Sequence, residues 1–204
     1  MRPFTYLSLL PSLAWASPLT LLPRQNQATI TGVSFSGPGC TSGTTTADFA
    51  TNGQSVTLGF DDYLTEINPG GTIRRELFCD VTVTLRFPIA CTNVNLATTY
   101  HGFAQIDNGV TGRFTSQYTL SPGALNAGSS PPPSVFTSAQ YGGVGQTYTK
   151  LDTASGSVTV RDANQRSVSL VVRTRVALTQ QNSNAGAIAS VEDANIEITS
   201  QSRC

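Results

Sequence analysis

The sequence predicts an all-β protein: an antiparallel two-sheet β-sandwich, disulfide-linked, with a partly closed β-barrel as the neighbouring alternative. Three observations carry this. Apolar residues recur almost everywhere at a period of two. After the first sixteen residues no window matches an amphipathic helix over three turns. Four cysteines occur in a chain whose start has secretory character, which reads as two disulfides.

The elements follow in chain order. Residues 1–16 read as a signal peptide. Arg2 precedes the short apolar run "TYLSLLPSLAWA", and Ala14-Trp15-Ala16 gives the small-x-small pattern of a cleavage site. The run is too short for a membrane span, which needs roughly 20 residues. Residues 17–27 read as a short N-terminal extension or a pro-segment, with Arg24 as its only basic mark. Residues 28–204 read as a single β-sandwich domain. Localisation is expected to be secreted and extracellular, with no membrane partner.

Strand patterns fill the rest. "SVTLGF" sets Val56, Leu58 and Phe60 on one face. "CDVTVTLRF" sets Cys79, Val81, Val83, Leu85 and Phe87 on one face, with Asp80, Thr82, Thr84 and Arg86 on the other. "VTGRFTSQYTL" and "SVSLVVRTRVALT" alternate in the same way, and "GSVTVRD" and "ANIEIT" supply shorter versions. About eight to ten such strands, each with one apolar face, argue for two packed sheets. Residues 121–150 break the pattern. Rich in Gly, Pro and Ser, they read as a long irregular loop, a type of connection that is often functional or mobile.

The cysteines allow three pairings. "CDVTVTLRF" is one extended strand of roughly 25–30 Å, whereas bridged cysteines need Cα atoms within about 7 Å, which disfavours Cys79 with Cys91. Cys40 with Cys79 and Cys91 with Cys204 is the preferred set; Cys40 with Cys91 and Cys79 with Cys204 is the other. A zinc site fails on spacing, because no two cysteines sit two to four apart.

Composition narrows function. Lys plus Arg and Asp plus Glu number 12 each, so no net charge draws nucleic acid or anionic membrane. Lys150 is the sole lysine. Charged residues make up 12% of the chain, about half the usual share, leaving a neutral, hydroxyl- and amide-rich surface. No Asn-x-Ser/Thr sequon occurs.

The sole histidine, His101, lies in "TYHGFAQIDNGVTGRFTSQY", which reads as a hairpin. A three-residue turn, Asp107-Asn108-Gly109, places Ile106 opposite Val110 and Leu96 opposite Leu120, so the apolar faces agree. A slip of one residue would set them at odds. Gly109 would supply the left-handed residue of a bulged turn. In that register His101 lies opposite Thr115, Phe103 opposite Arg113 and Thr99 opposite Gln117. His101, Phe103, Arg113, Thr115 and Gln117 then form a candidate ligand face, an aromatic platform with polar donors suited to a glycan.

Four segments, "GCTSG", "GFDDY", "ELFCDVTVTLRFP" and "YHGFAQIDNGVTG", resemble in this order those of a family of secreted fungal and bacterial domains. It is known as domain of unknown function four-three-six-zero. The resemblance spans roughly residues 30–200 and is most specific at 102–110. It would set a basic residue before Gly102, where His101 stands. It implies a small, secreted, disulfide-linked β domain and brings no established activity.

Other chemistries find little support. A Ser-His-Asp site would need a serine beside His101, but Ser116 falls on the opposite face and no Gly-x-Ser-x-Gly elbow exists. A glycosidase needs two carboxylates; Asp61, Asp62 and Glu66 are candidates, with Asp107 remote, although adjacent Asp61 and Asp62 in a strand point apart. Neither Asp61, Asp62 and Glu66 nor Glu192, Asp193 and Asn195 has a calcium-loop spacing. Arg161, Arg166, Arg173 and Arg175 lack the interleaved aromatics of a nucleic-acid stripe. No cofactor or metal is expected. The leading expectation is a non-catalytic protein binding a glycan or protein ligand at a cell wall or host surface. An enzyme acting on extracellular polysaccharide through Asp61 or Glu66 is one alternative. A structural wall or matrix component is the other.

Overall fold

The structure is a computed structural model that describes residues 27–87, 91–121, 124–125, 130–159 and 167–201. The expected leader, the extension to residue 26, Arg161, Arg166 and Cys204 lie outside the described residues, and so does the side chain of Cys91.

Thirteen strands are present among the described residues. The first seven are β1 (Thr29–Ser36), β2 (Thr45–Phe49), β3 (Ser55–Phe60), β4 (Leu64–Ile67), β5 (Arg74–Arg86), β6 (Cys91–Ile106) and β7 (Val110–Ser121). Then come β8 (Ala124–Leu125), β9 (Ser134–Thr137), a single-turn helix α1 (Ser138–Tyr141) and β10 (Gln146–Thr159). The chain closes with β11 (Ser167–Gln180), β12 (Ala187–Ser190) and β13 (Asp193–Gln201). The first sheet has the order β1-β5-β11-β7-β9. The second runs β2-β3-β13-β6-β10-β8, with β12 bridging β6 and β4. Every pairing is antiparallel. The two sheets pack face to face and do not close into a barrel.

The predicted apolar faces are the core. Val81, Val83, Leu85, Phe114, Leu170 and Val172 of the first sheet are buried against Leu58, Leu96, Ile196 and Ile198 of the second. Each such side chain contributes about 1.5–3 kcal/mol on leaving water. The strand count exceeds the eight to ten expected, because β4, β8, β9 and β12 are too short to display alternation.

Cys40 and Cys79 are bonded, with Cα atoms 5.4 Å apart, as the preferred pairing has it. The bridge is the centre of a knot built from three of the segments quoted above. Gly39 donates its N–H to the Phe78 carbonyl at 2.9 Å, and a Cβ there would stand 2.5 Å from the Tyr63 ring. Tyr63 packs edge-on against Phe60 with centroids 5.7 Å apart. Its hydroxyl lies 3.2 Å from Thr174 Oγ1, and Thr174 in turn donates to the Cys79 carbonyl.

The hairpin is not formed. β6 and β7 belong to different sheets, and Asp107-Asn108-Gly109 carries the chain across the sandwich. The turn itself is as expected: Val110 donates to the Asp107 carbonyl at 3.1 Å and Gly109 has φ +94°. What differs is the partner. β6 lies between β13 and β10, so His101 stands beside Asp193 and Thr149 instead of Thr115. β7 pairs with β11 and β9, so Arg113 stands beside Ala177 and Val135 instead of Phe103. The physical reason is burial. Facing sheets bring the apolar faces of both strands together, whereas a hairpin would set them side by side. Tyr100 of β6 meets Phe114 of β7 edge-on, centroids 5.0 Å apart.

The described residues of 121–150 include regular elements as well as loop. They hold β8, β9, α1 and the start of β10. Phe136 and Tyr141 anchor this stretch in the core, 5.1 Å apart and edge to face. Phe136 occupies the space Gly112 leaves free, since a Cβ on that glycine would lie 2.9 Å from its ring.

Candidate functional site

The outward face of the first sheet is built in rows by its register. Asp80, Arg173 and Gln117 form one row, and Phe78, Arg175 and Thr115 the next. Glu76, Ala177 and Arg113 form the third. Period-two alternation places all nine outward, because their neighbours Cys79, Thr174, Val176, Phe114 and Ser116 point in and are buried. Arg173 grips Asp80 with two parallel bonds, Nε to Oδ1 and Nη2 to Oδ2, each 2.6 Å. These bonds hold its guanidinium above the ordinary arginine range. It also stands 5.9 Å from the centroid of the Phe78 ring. Glu76 takes Arg175 Nε at 3.1 Å and Arg74 Nη2 at 2.9 Å.

Across this face runs a groove of about 270 Å³, lined by Thr115, Gln117, Arg173, Arg175, Ser130 and Pro131 with Ser116 beneath. The Pro-rich segment forms its wall. Side chains of Arg173 and Arg175 are half exposed, at 50% and 45%. A guanidinium carries five N–H donors in a planar fork. Among the described residues the carboxylate partners take two from Arg173 and one from Arg175. The groove therefore offers guanidinium donors, an amide and a hydroxyl, a set that matches a polyhydroxylated ligand.

The structure divides the five residues predicted as one face. Arg113, Thr115 and Gln117 lie on this exterior, while His101 and Phe103 lie on that of the second sheet. His101 Nδ1 pairs with Asp193 Oδ1 at 2.7 Å, both about half exposed. Phe103 is not a bare platform. The turn at Gly145 packs on its ring so closely that a Cβ there would overlap it, and Gln105 Nε2 ties this turn down through the Gly143 carbonyl at 2.8 Å. Arg173 and Arg175 were visible in the sequence as a basic pair. Their pairing with Thr115 and Gln117 was not, because it needs the β7–β11 register.

A second pocket, of about 290 Å³, is lined by Glu66, Asn68, Pro69, Gln105, Asp107 and Ile188, among others. It unites Glu66 with the carboxylate expected to be remote from it. Asp107 Oδ2, however, accepts the Gly186 N–H at 2.8 Å and braces a turn. Among the described residues no three His, Cys, Asp or Glu side chains are grouped to hold a metal. No helix of the described residues is long and apolar enough to cross a membrane.

Comparison with known proteins gives a family. Residues 26–204 match the family described as "Domain of unknown function (DUF4360)". The chain belongs to this family. A relative in sequence of this DUF4360 chain is an uncharacterized secreted protein of Arthroderma benhamiae, 32% identical over 100 residues. That match takes in 48% of this chain and 41% of the relative. Among solved structures, the DUF4360 chain is similar to TmCBM61 in complex with β-1,4-galactotriose, with 7% identity and a TM-score of 0.23, covering 86% of this chain and 91% of that one. It is also similar to the N-terminal cellulose-binding domain of a Cellulomonas fimi β-1,4-glucanase, with 13% identity and a TM-score of 0.24, covering 86% and 97%. Likeness of this order says nothing of a ligand. Three residues of the DUF4360 segment "YHGFAQIDNGVTG" have structural roles. A Cβ on Gly102 would collide with the Ser190 carbonyl and stand 2.7 Å from the Tyr148 hydroxyl, while Asp107 and Gly109 make the crossing between sheets.

Proposed function

We propose that this protein is extracellular and non-catalytic, and binds a glycan at a cell wall or host surface. The ligand lies in the groove over Thr115, Gln117, Arg173 and Arg175. The observation that carries this reading is the wall formed by Ser130 and Pro131, which turns an otherwise open sheet face into a cleft. Pockets for ligands are concave and carry a few polar groups that fix orientation. The disulfide and the secreted relative support an extracellular setting. The test is a glycan array probed with the native chain and with the Thr115→Ala/Gln117→Ala double variant. Binding that drops in the variant while its melting temperature holds supports the reading; an array with no binding removes it.

A hydrolytic second reading has one observation in its favour, the shared pocket of Glu66 and Asp107. Reducing-sugar release from a polysaccharide, abolished by Glu66→Gln, would put it first.

A further inference from the structure

A net charge of zero conceals a strong separation of charge between the two exteriors. All six arginines among the described residues, Arg74, Arg75, Arg86, Arg113, Arg173 and Arg175, sit on β5, β7 and β11 of the first sheet. Five of them, all but Arg75, point outward by register, against only Glu76 and Asp80 on the same face. The outward positions of the second sheet carry Asp48, Glu66, Asp193 and Glu197, and among the described residues no lysine or arginine. Among the described strand residues, one exterior thus has a formal balance of +3, from five arginines and two carboxylates, and the other −4. The single lysine contributes to neither, being sealed inside.

Three of the arginines form a strip: Arg173 and Arg175 line the groove, and Arg113 stands one row beyond its end. Arg173 and Arg175 are two residues apart on one strand, about 7 Å at the usual rise. Arg113 lies diagonally across from Arg175 on the neighbouring strand, a separation of about 7–8 Å. Guanidinium groups present planar forks that bond carboxylate and sulfate oxygens two at a time. Thr115 and Gln117 lie among them with neutral groups suited to sugar hydroxyls. A neutral ligand would need the amide and hydroxyl but not three cations.

We infer that the groove on the first sheet takes an anionic polysaccharide, its carboxylate or sulfate groups seated on Arg113, Arg173 and Arg175. This rests on the glycan-binding reading above and specifies its ligand class. Charge complementarity selects the occupant: a polyanion is drawn to this exterior and repelled by the opposite one, so the ligand can settle on one side only.

The experiment measures binding of the full chain to polygalacturonate, to the neutral glucan laminarin and to single-stranded DNA, at low and at physiological salt. The partner variant is Arg113→Gln/Arg175→Gln, checked for an unchanged melting temperature. The expected result is binding to polygalacturonate that weakens with salt and is about tenfold weaker in the variant, with less binding to the other two. Equal or stronger binding to laminarin would overturn the inference and leave the glycan reading intact. Binding to neither glycan would remove both. Equal binding to DNA would overturn the inference, making the face a general polyanion surface. Self-association of the native chain, lost in the variant and blocking polygalacturonate, would also overturn it and mark the two exteriors as interfaces between copies.

Discussion

Tyr100 and Tyr118 meet hydroxyl to hydroxyl at 2.9 Å in the interior, one from each sheet. Tyr118 passes its own proton on to Asp152 Oδ2 at 3.0 Å, so Tyr100 is the donor between them. Ser116 donates to the same oxygen. Lys150 Nζ contacts Asp152 Oδ1 and donates to Ser116 Oγ at 3.0 Å. The two sheets are thus joined by an ionic and phenolic network as well as by apolar packing.

The buried phenols, two of them in that network, set an alkaline limit. Burial pushes the phenols of Tyr63, Tyr100, Tyr118 and Tyr148 well above the usual tyrosine range. In the unfolded chain they ionise near pH 10, while the folded chain keeps their protons. Their stabilisation is therefore fully present below about pH 10 and falls as pH rises further, by about 1.4 kcal/mol per pH unit for each tyrosine. Denaturant midpoints measured from neutral pH upward should hold steady and then drop steeply. Phenolate absorbance from these four of the six tyrosines should appear only with unfolding; more than two phenolates formed in the folded state would contradict this.

Removing one ion of the buried pair should cost more than removing both. Lys150→Met leaves the Asp152 carboxylate enclosed without its cation, at a cost of about 3–5 kcal/mol. For a chain of this size the melting temperature would fall on the order of 10 °C. Lys150→Met/Asp152→Leu should regain part of that loss, because it removes the unpaired charge but leaves Tyr118 and Ser116 without their buried acceptor. Thermal denaturation of the three proteins decides it; a double variant less stable than the single would refute the account.

Gly102→Ala should destabilise by about 1–3 kcal/mol, the usual cost of forcing a methyl into filled space. Ala on the neighbouring outward position 101 should have little effect. Chemical denaturation of both variants tests whether the glycine serves packing. Equal stability would mean that its place in the family segment has another cause.

Cys40→Ser/Cys79→Ser opens a loop with a sequence separation of 39 residues. The chain-entropy estimate for such a loop is about 4 kcal/mol. Both sulfurs are buried, so dithiothreitol should reduce the bond in the native state only as fast as the molecule opens. Reduction that proceeds at full rate in native buffer would show the knot to be loose.

The sequence revealed which side chains face inward and much less about which strands are neighbours. Val81, Val83, Phe114 and Leu170 could be read directly, because alternation is a local property of each strand. The partners of β6 and β7 could not. A short turn with an Asn-Gly step serves a hairpin and a crossing between sheets equally well, and only the summed burial of both faces distinguishes them. The arrangement of β10 was hidden for a different reason. Its inward positions include Lys150 and Asp152 while Leu151 is 66% exposed, the reverse of the polarity that signals a strand. The groove suffered on both counts. Thr115, Gln117, Arg173 and Arg175 were each legible as outward-facing, yet their adjacency follows from a β7–β11 pairing with no local signal.

The enclosure of Lys150 also governs how the molecule meets reagents. It carries the chain's only ε-amino group, so acylating labels, aldehyde fixatives and reducing sugars find no open lysine on the native protein. A lysine-directed protease would cut the chain once, and only when the sandwich had come apart.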